Sequence, residues 1–535
     1  GFYQSYVYLT DTGTGFGLNS FRYVLQDPAF GLAVRNTMFI VLVGVPITIV
    51  LSLGAALLIN SLLRTKGLFQ TLYFLPYVTS TLAIGLVFRW LFHSEYGYIN
   101  FFLEFLGLEP QKWLSDPNLT IVAVTIFTIW NGMAFKIVLF LAGLQKIDQQ
   151  YYKAARIDGT PAHRIFFRIT MPLLSPTFWM VTIVSVIHAF KTYNEVYAMF
   201  SRESAGPGNS AITMVYYIYD MFFNRGQVHY ASAAAIIFLA IVLALTVIQK
   251  CIRDSGLYTM YKGGSDMKQN VGKAVKIAVL TVGAFVMIFP FLWMLFTSLK
   301  TLPESISIPP TLFPAVPQFE NYTAALAVAP FGLYLRNSII VAGGGTLLTL
   351  VLTVLSAYGF TIYEFRGKKL LFLLCLSTMM IPAELLIIQN FITISKLGWM
   401  DTFQGIILPT VASGFYIYMM REYFMQIPSI LYKAAKVDGC SDWRYLWKVM
   451  IPMNKNAIAT IGILAFISQW NSFVWPLMVT KSDAHRVMPI GLLHFRDAVS
   501  SQVNLQMAGA TIVIVPMLIF FLVFRKQILA GVARG

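Results

Sequence analysis

Charge is what this chain lacks. Of its 535 residues only 12% are Asp, Glu, Lys or Arg, against about 25% in a soluble chain. A chain this long could bury a large core, but it could not cover that core with so few charges. A water-soluble enzyme, a secreted module and a disordered protein are thereby excluded. Three cysteines, Cys251, Cys375 and Cys440, are too few and too scattered for a disulfide framework or a zinc site. Six histidines show no paired spacing for haem. A phosphate-cradling GxxxxGK(S/T) loop is missing. GPGNSAIT (206–213) and GGGTLLT (343–349) hold glycines without the lysine and read as an external loop and a close-packing patch in a span. HExxH spacing and any nucleophile–base arrangement are missing as well. No catalytic residue, metal or cofactor is therefore expected, and energy must come from elsewhere.

What the chain has is apolar length: 57% hydrophobic residues, 43 Phe and a mean hydropathy of +0.68. A spanning helix needs about 20 apolar residues. Such runs lie near 36–62, 69–93, 118–143, 175–199 and 230–249, then near 277–297, 338–362, 370–393, 403–420, 456–478 and 508–524. The expected architecture is all-α and polytopic, with about eleven spans.

The scarce charge is unevenly placed. Segments 63–68, 144–174, 250–276, 363–369, 421–455 and 525–535 together hold 25 basic and 8 acidic residues, a net +17. The other segments hold 14 basic and 15 acidic, a net −1. By the positive-inside rule the basic set is cytoplasmic, and the alternation never breaks parity. The formal +16 is therefore topology, not a nucleic-acid footprint. Parity places residues 1–33 outside and leads us to expect a preceding span with a cytoplasmic N-terminus. It also leaves 250–276 inside on both sides of their midpoint, where Met267 opens MKQNVGKAVK. Two readings of that junction stand: two subunits written as one chain, or a natural fusion.

The halves repeat. Asn36-Thr37 opens a span in one and Asn337-Ser338 in the other, and a mid-span proline follows each, Pro76 and Pro382. Two cytoplasmic loops, YYKAARIDGTPAHRIFFRITMPLLSP (151–176) and LYKAAKVDGCSDWRYLWKVMIPMNKN (431–456), align without gaps at an offset of 280. Each predicts a short helix ended by glycine, Gly159 or Gly439, which tolerates a left-handed cap. A second short helix follows, with Thr160-Pro161 or Ser441 at its start. The next span in each half carries an aromatic-Asn pair, Tyr193-Asn194 or Trp470-Asn471. An amphipathic elbow with nothing in its own chain to bury it, present twice, reads as a docking element.

This loop pair resembles the EAA coupling motif of ABC importer permeases, in the carbohydrate-uptake class typified by the two permease subunits of the maltose transporter. The resemblance runs through nearly the whole chain. Residues 1–262 resemble the first permease type without its initial span, and 267–535 the second, including SKLGWMDTFQGIILP, FISQWNSFVWPLM and the GVARG tail. It implies the type I importer fold, a pore made by both halves in a prokaryotic inner membrane, and cytoplasmic termini on the complete subunits. It also implies an extracytoplasmic binding protein that delivers sugar, and alternating access driven by two ATPase subunits. Those would grip Lys153, Ala154, Ala155, Asp158 and Gly159, and Lys433, Ala434, Ala435, Asp438 and Gly439. Lysine stands at 153 and 433 where the motif usually keeps glutamate. Either the ATPase supplies an acid in return, or Asp158 and Asp438 take over part of the contact.

Polar groups inside spans mark function by default. In SVIHAFKTYNE (185–195), Ser185, His188, Thr192 and Glu195 recur at helical spacing, and Lys191 and Glu195 are four apart. Hydroxyl, amide and aromatic groups suit a polyol's donors, acceptors and apolar faces; a stripe satisfied by neighbouring helices is the bland alternative. The resemblance implies sugar contacts at Tyr77, Thr81, Thr128, Gly132, Ser185, Ala189 and Thr192, with Gly132 leaving room for a ring. Ala189 and Thr192 replace amides typical of the maltose protein. Lys136 is expected to pair with Glu195 or to meet substrate. Glu384 and Gln469-Trp470-Asn471 in the second half read as gate or packing residues. The rival function is an ion-coupled secondary sugar transporter, whose paired carboxylates would have to be Glu195 and Glu384.

Overall fold

A computed structural model describes residues 7–10, 13–62, 65–200, 204–254, 273–380, 386–498 and 502–534. The 256–267 stretch suspected of a chain junction, Pro382 and Glu384 lie outside the described residues. The fold is helical except for a two-stranded antiparallel ribbon, β1 (Val7–Thr10) with β2 (Gly13–Phe16). Among the described residues seven helices are long and apolar enough to cross a membrane, and three further spans are bent pairs. The run at 370–393 is described only as two shorter helices, Lys368–Ser377 and Ile387–Lys396. Among the described residues the count thus reaches ten with each bent pair taken as one span, and eleven is not fixed exactly.

Two compact units are present, Gly1–Val328 with Leu492–Leu518, and Ala329–Gly491 with Ile519–Gly535. In the first unit, α1 (Pro28–Asn60) is followed by α2 (Lys66–Val78) and α3 (Thr81–Leu91), which meet at 97°. Thr79 and Ser80 between them are extended, and Pro76 has no N–H to continue the ladder. Next come α4 (Thr120–Lys146), α5 (Gln149–Ile157), α6 (Ala162–Phe190), α7 (Asn194–Met199) and α8 (Val228–Asp254).

Helix α4 is the hub: α1, α2, α6 and α7 all pack on it, and most of its residues are buried, with Ile126 on its open stripe. The first span after the junction, α9 (Lys273–Ser298), also belongs to this unit and packs on α2 and α3. Tyr73 on α2 donates its hydroxyl to the Leu280 carbonyl at 3.1 Å, and Trp130 on α4 donates to the Val286 carbonyl at 3.1 Å. Gly283 is where Tyr73 comes closest, with no space for a Cβ. Small residues let membrane helices approach in this way.

In the second unit, α10 (Phe331–Ile362) packs on α11 (Gly414–Met425) and α14 (Lys455–Trp470). Between the latter two lie α12 (Ser429–Val437) and α13 (Asp442–Met453). Tyr358, Met420, Phe424, Tyr445, Leu446, Met450 and Ile461 form a buried cluster that anchors α13. α15 (Val474–Val479) also belongs here, whereas α16 (Val503–Arg534) is divided, its residues through Leu518 falling in the first unit.

The repeated Asn-Thr/Ser pair has a structural role. Asn36 Nδ2 donates to the carbonyls of Ser210 and Ile212 at 2.8 and 2.9 Å, and Thr37 Oγ1 accepts from the Met214 amide at 3.0 Å. In the other unit, Asn337 Nδ2 donates to Ala484 and Arg486 carbonyls at 2.8 and 3.0 Å, and Ser338 Oγ accepts from the Met488 amide at 2.8 Å. Both asparagines are buried. Each clamp fixes the loop that follows the short helix, α7 or the Val474–Val479 helix, of its own unit. Asn36→Ala or Asn337→Ala orphans two carbonyls, at a cost of about 1–3 kcal/mol. Thermal unfolding of the purified chain should show each variant melting earlier, while lipid-facing Leu42→Ala does not; an unchanged melting point in both would refute the clamp.

Candidate functional site

The first helices of the two elbows end alike. In the first, α5 ends with amides of Asp158, Gly159 and Thr160 donating to carbonyls of Ala154, Arg156 and Ala155 at 3.0, 3.1 and 2.9 Å. In the second, Asp438, Gly439 and Cys440 donate to Ala434, Lys436 and Ala435 at 3.0, 3.1 and 2.8 Å. Gly159 and Gly439 have φ of +67° and +70°, the left-handed residue this helix ending requires. A π-helical turn follows at 166–170 and at 446–450, again 280 apart.

The second short helices start differently. Ser441 caps α13 by accepting from the Arg444 amide at 3.3 Å, as expected. Thr160 does not cap α6: Pro161 holds the cap position, with no side-chain bond. The offset explains this, because Pro161, not Thr160, is the counterpart of Ser441.

Lys153, Ala154, Asp158 and Gly159 are exposed, as are Lys433, Ala434, Asp438 and Gly439; Ala155 is buried and Ala435 half-buried. Among the described residues Lys153 and Lys433 make no ion pair. Two residues that composition did not single out stand at the tips, Ile157 at 85% exposure and Val437 at 88%. They are counterparts at the same offset, and that pairing of apolar residues within a polar helix end was the signal available in the sequence. The second elbow is further braced. Asp442 accepts from Lys436 Nζ at 2.6 Å and from the Tyr432 hydroxyl at 2.8 Å.

The substrate candidates gather around α4, though not as helical spacing implied. Tyr77 and Thr81, four apart in sequence, fall on opposite sides of the 97° break. Tyr77 stacks on Phe135 at 4.9 Å, and Thr81 receives a long hydrogen bond from Asn131 at 3.4 Å, so both reach α4 separately. The polar face expected over 185–195 is also broken: α6 ends at Phe190 and α7 begins at Asn194. Ser185 and His188 share α6, whereas Thr192 sits in the break and Glu195 beyond it. Lys191 and Glu195 are therefore not a pair along one helix.

The equivalent break in the second unit leaves Asn471 as the last cap and Phe473 as the next. Tyr193 thus matches Phe473, not Trp470, and the two aromatic-Asn pairs are not counterparts. Gln469 is a packing residue: its amide pairs with Thr410 at 3.0 Å and it lies against Gly345.

Thr128, Ser185 and Thr192 are buried, and each hydroxyl donates within its own segment, to Val124, Val181 and Ala189 carbonyls at 2.9, 2.6 and 2.9 Å. Ala189 is buried as well, while Tyr77, Thr81 and His188 are half-buried. The room expected at Gly132 is filled. A Cβ there would lie 2.6 Å from Lys136 Nζ, so the ammonium folds back over the glycine. Lys136 is 5% exposed, and the Glu195 carboxylate attracts it. His188 faces both Lys136 and Lys191.

The brace in the second elbow has a pH signature. Hydrogen bonds from Lys436 and then Tyr432 hold the Asp442 carboxyl below the usual carboxylate range. A carboxylate with a lowered folded pKa stabilises fully above its unfolded value, about 4, and that contribution is lost as pH falls through the folded one. Thermal melts of wild type and Asp442→Asn should therefore differ most at neutral pH and converge below about pH 4; a gap that widens on acidification would contradict the brace.

Comparison with known proteins now bears on what these elbows belong to. The family model for "binding-protein-dependent transport system inner membrane component" matches twice in tandem, over residues 48–254 and 349–530. The arabinooligosaccharides transport system permease protein AraQ of Halalkalibacterium halodurans is 30% identical over 266 residues, 48% of this chain and 95% of that one. The lactose transport system permease protein LacF of Rhizobium radiobacter is 36% identical over 228 residues, 42% of this chain and 76% of that one. A crystal structure of a bacterial ABC transporter involved in import of the acidic polysaccharide alginate aligns with 49% of this chain and 99% of its own, at 25% identity and a TM-score of 0.44. The two tandem family matches each take in one elbow and together cover most of the chain, which belongs to the binding-protein-dependent transport system inner membrane components.

Proposed function

We propose that this chain is the translocation pathway of an ATP-driven sugar importer, with 1–262 and 267–535 acting as its two permease halves. The carrying observation is the twin elbow: two exposed helix ends of one geometry, each tipped by an apolar residue and set in a basic loop. One exposed Ile or Val is ordinary on any surface, but the same kind of residue at the same tip of both elbows supports a shared docking contact. Two equal tips suit two copies of one ATPase, which would carry out the hydrolysis. Relatives that move arabinooligosaccharides and lactose support a sugar cargo delivered by an extracytoplasmic binding protein. The charge bias supports cytoplasmic termini on the complete halves.

In this reading Tyr77, Thr81, Thr128, Gly132, Ser185, His188, Ala189 and Thr192 surround the sugar path. The conformation described is closed to a ring at Gly132, because the Lys136 ammonium occupies that position. Closure of the ATPases would draw the elbows together and rock the halves between inward- and outward-facing states. Lys136 would then have to swing toward Glu195 to admit a ring, and the buried hydroxyls would exchange helix carbonyls for sugar hydroxyls.

Reconstituted vesicles test the reading. Uptake should need ATP, the ATPase and the binding protein but no ion gradient; uptake driven by a proton or sodium gradient alone would establish the ion-coupled rival instead. Ile157→Asp or Val437→Asp should each lower ATPase retention on the purified chain by about tenfold or more, and the double variant should abolish uptake. Charge reversal at Lys153 or Lys433 checks the neighbouring contact, and undiminished docking and transport would remove the lysines from it. Gly132→Leu should cut uptake more than about tenfold while ATPase docking stays normal; unimpaired uptake would take Gly132 off the path.

A further inference from the structure

The first unit holds a cavity of about 430 Å³ at the end of α3, next to the 94–117 and 200–229 segments that the charge bias places outside. It is not among the residues assigned above to the sugar path. Arg89, Trp90 and His93 form one wall, and Phe200, Ser204 and Gly206 another.

Arg89 is half-buried. Among the described residues its guanidinium makes no ion pair and no hydrogen bond, although it lies close enough to His93 to act on its charge. A partly buried, always-charged fork of donors with no acceptor among the described residues suits a carboxylate, which it can meet with two parallel bonds. Beside it runs a rigid aromatic shelf. Trp90 and His93 stack at 5.3 Å and 21°, and His93 and Tyr96 at 4.8 Å and 12°. The indole is fixed by its bond to Gln506 Oε1 at 2.9 Å.

We propose that this cavity is an entry subsite for acidic saccharides: the aromatic shelf takes the apolar face of a pyranose, and Arg89 takes its carboxylate. The volume falls within the range of small-ligand sites, about 300–1,000 Å³, and a concave recess with one cation and one stacked wall suits a sugar unit better than the flat contact of a protein surface. This substrate class rests on the sugar-importer reading. Carboxylate-bearing sugars would be held at Arg89 on the outer side before they reach the Gly132 position, while neutral sugars would pass without that hold.

The test uses the full chain with its ATPase subunits in lipid nanodiscs, without ATP or binding protein. Equilibrium binding of radiolabelled digalacturonate is compared with that of uncharged galactobiose. Digalacturonate should bind at least about tenfold more tightly than galactobiose, and Arg89→Gln should erase that difference by weakening digalacturonate about ten- to a hundredfold. Arg89→Lys should retain part of it, and an unchanged melting point in both variants confirms that the site alone is altered. No digalacturonate binding to wild type, equal binding of both sugars, or binding indifferent to Arg89→Gln would overturn the proposal. Because the assay needs no turnover, absent ATP-driven uptake with binding intact would sink the importer reading and leave the subsite standing.

Discussion

A helix that stops inside an apolar layer leaves amides and carbonyls with no water to meet, and each costs several kcal/mol until something pairs with it. This chain stops its helices repeatedly within apolar runs, at Thr79–Ser80, at 191–193 and at 471–473, and again at Asn454 just after the second elbow. Short polar side chains answer at several of these places. Thr79 donates to the Pro76 carbonyl at 2.9 Å, and Thr213 donates to the Thr192 carbonyl at 2.6 Å. Asn454 Nδ2 donates back to the Met450 carbonyl at 3.0 Å. Trp475 serves the end of the short helix Phe403–Ile407, donating to the Gly405 and Ile406 carbonyls. The Asn36-Thr37 and Asn337-Ser338 clamps extend the same solution to whole loops. The broken helices are possible because these partners exist, and in the first unit the breaks at Thr79–Ser80 and 191–193 bring side chains from separate segments onto α4.

The same constraint governs charge at the hub. Lys136 is almost fully buried, where an ammonium without a counter-charge would be expensive. Glu195 supplies one from beyond the 191–193 break, on a different helix from Ser185 and His188. The folded-back lysine fills the space at Gly132.

What the sequence disclosed follows from how each feature is encoded. The elbows were legible because a docking surface is local. Gly159 and Gly439, the capping Ser441 and the 280-residue offset all act within a dozen residues. Span positions were legible from apolar length, but hydropathy is the same on both sides of a bend. Nothing in LPYVTSTLAIG announces 97°, and the i,i+4 arithmetic for Tyr77 and Thr81 failed for that reason. The filled space at Gly132 was hidden too, since a flexible lysine can point either way from its helix. That α9 would pack with α2 and α3 depends on contacts far apart in sequence, which no local pattern carries. The pairing of Tyr193-Asn194 with Trp470-Asn471 misled because composition matched where position did not.

The pattern of likeness and difference between the halves points the same way as the proposed division of labour. Where the halves would meet identical partners, they match in backbone: the same helix ending, the same π turn, the same exposed apolar tip. Where they would share one path, they diverge. The helix after the first elbow runs unbroken through Leu174 to Phe190, whereas its counterpart turns by 80° at Asn454. Lys136 folds over Gly132 in one half, while in the other the Gln469 amide is taken up in packing with Thr410. A single path needs only one set of polar contacts, so the second set is free to become packing. Two docking sites for a symmetric partner allow no such freedom, because a change in one elbow must be matched in the other or the two power strokes fall out of step. On this argument the elbows are held alike by the partner's symmetry, and the interior is free to specialise.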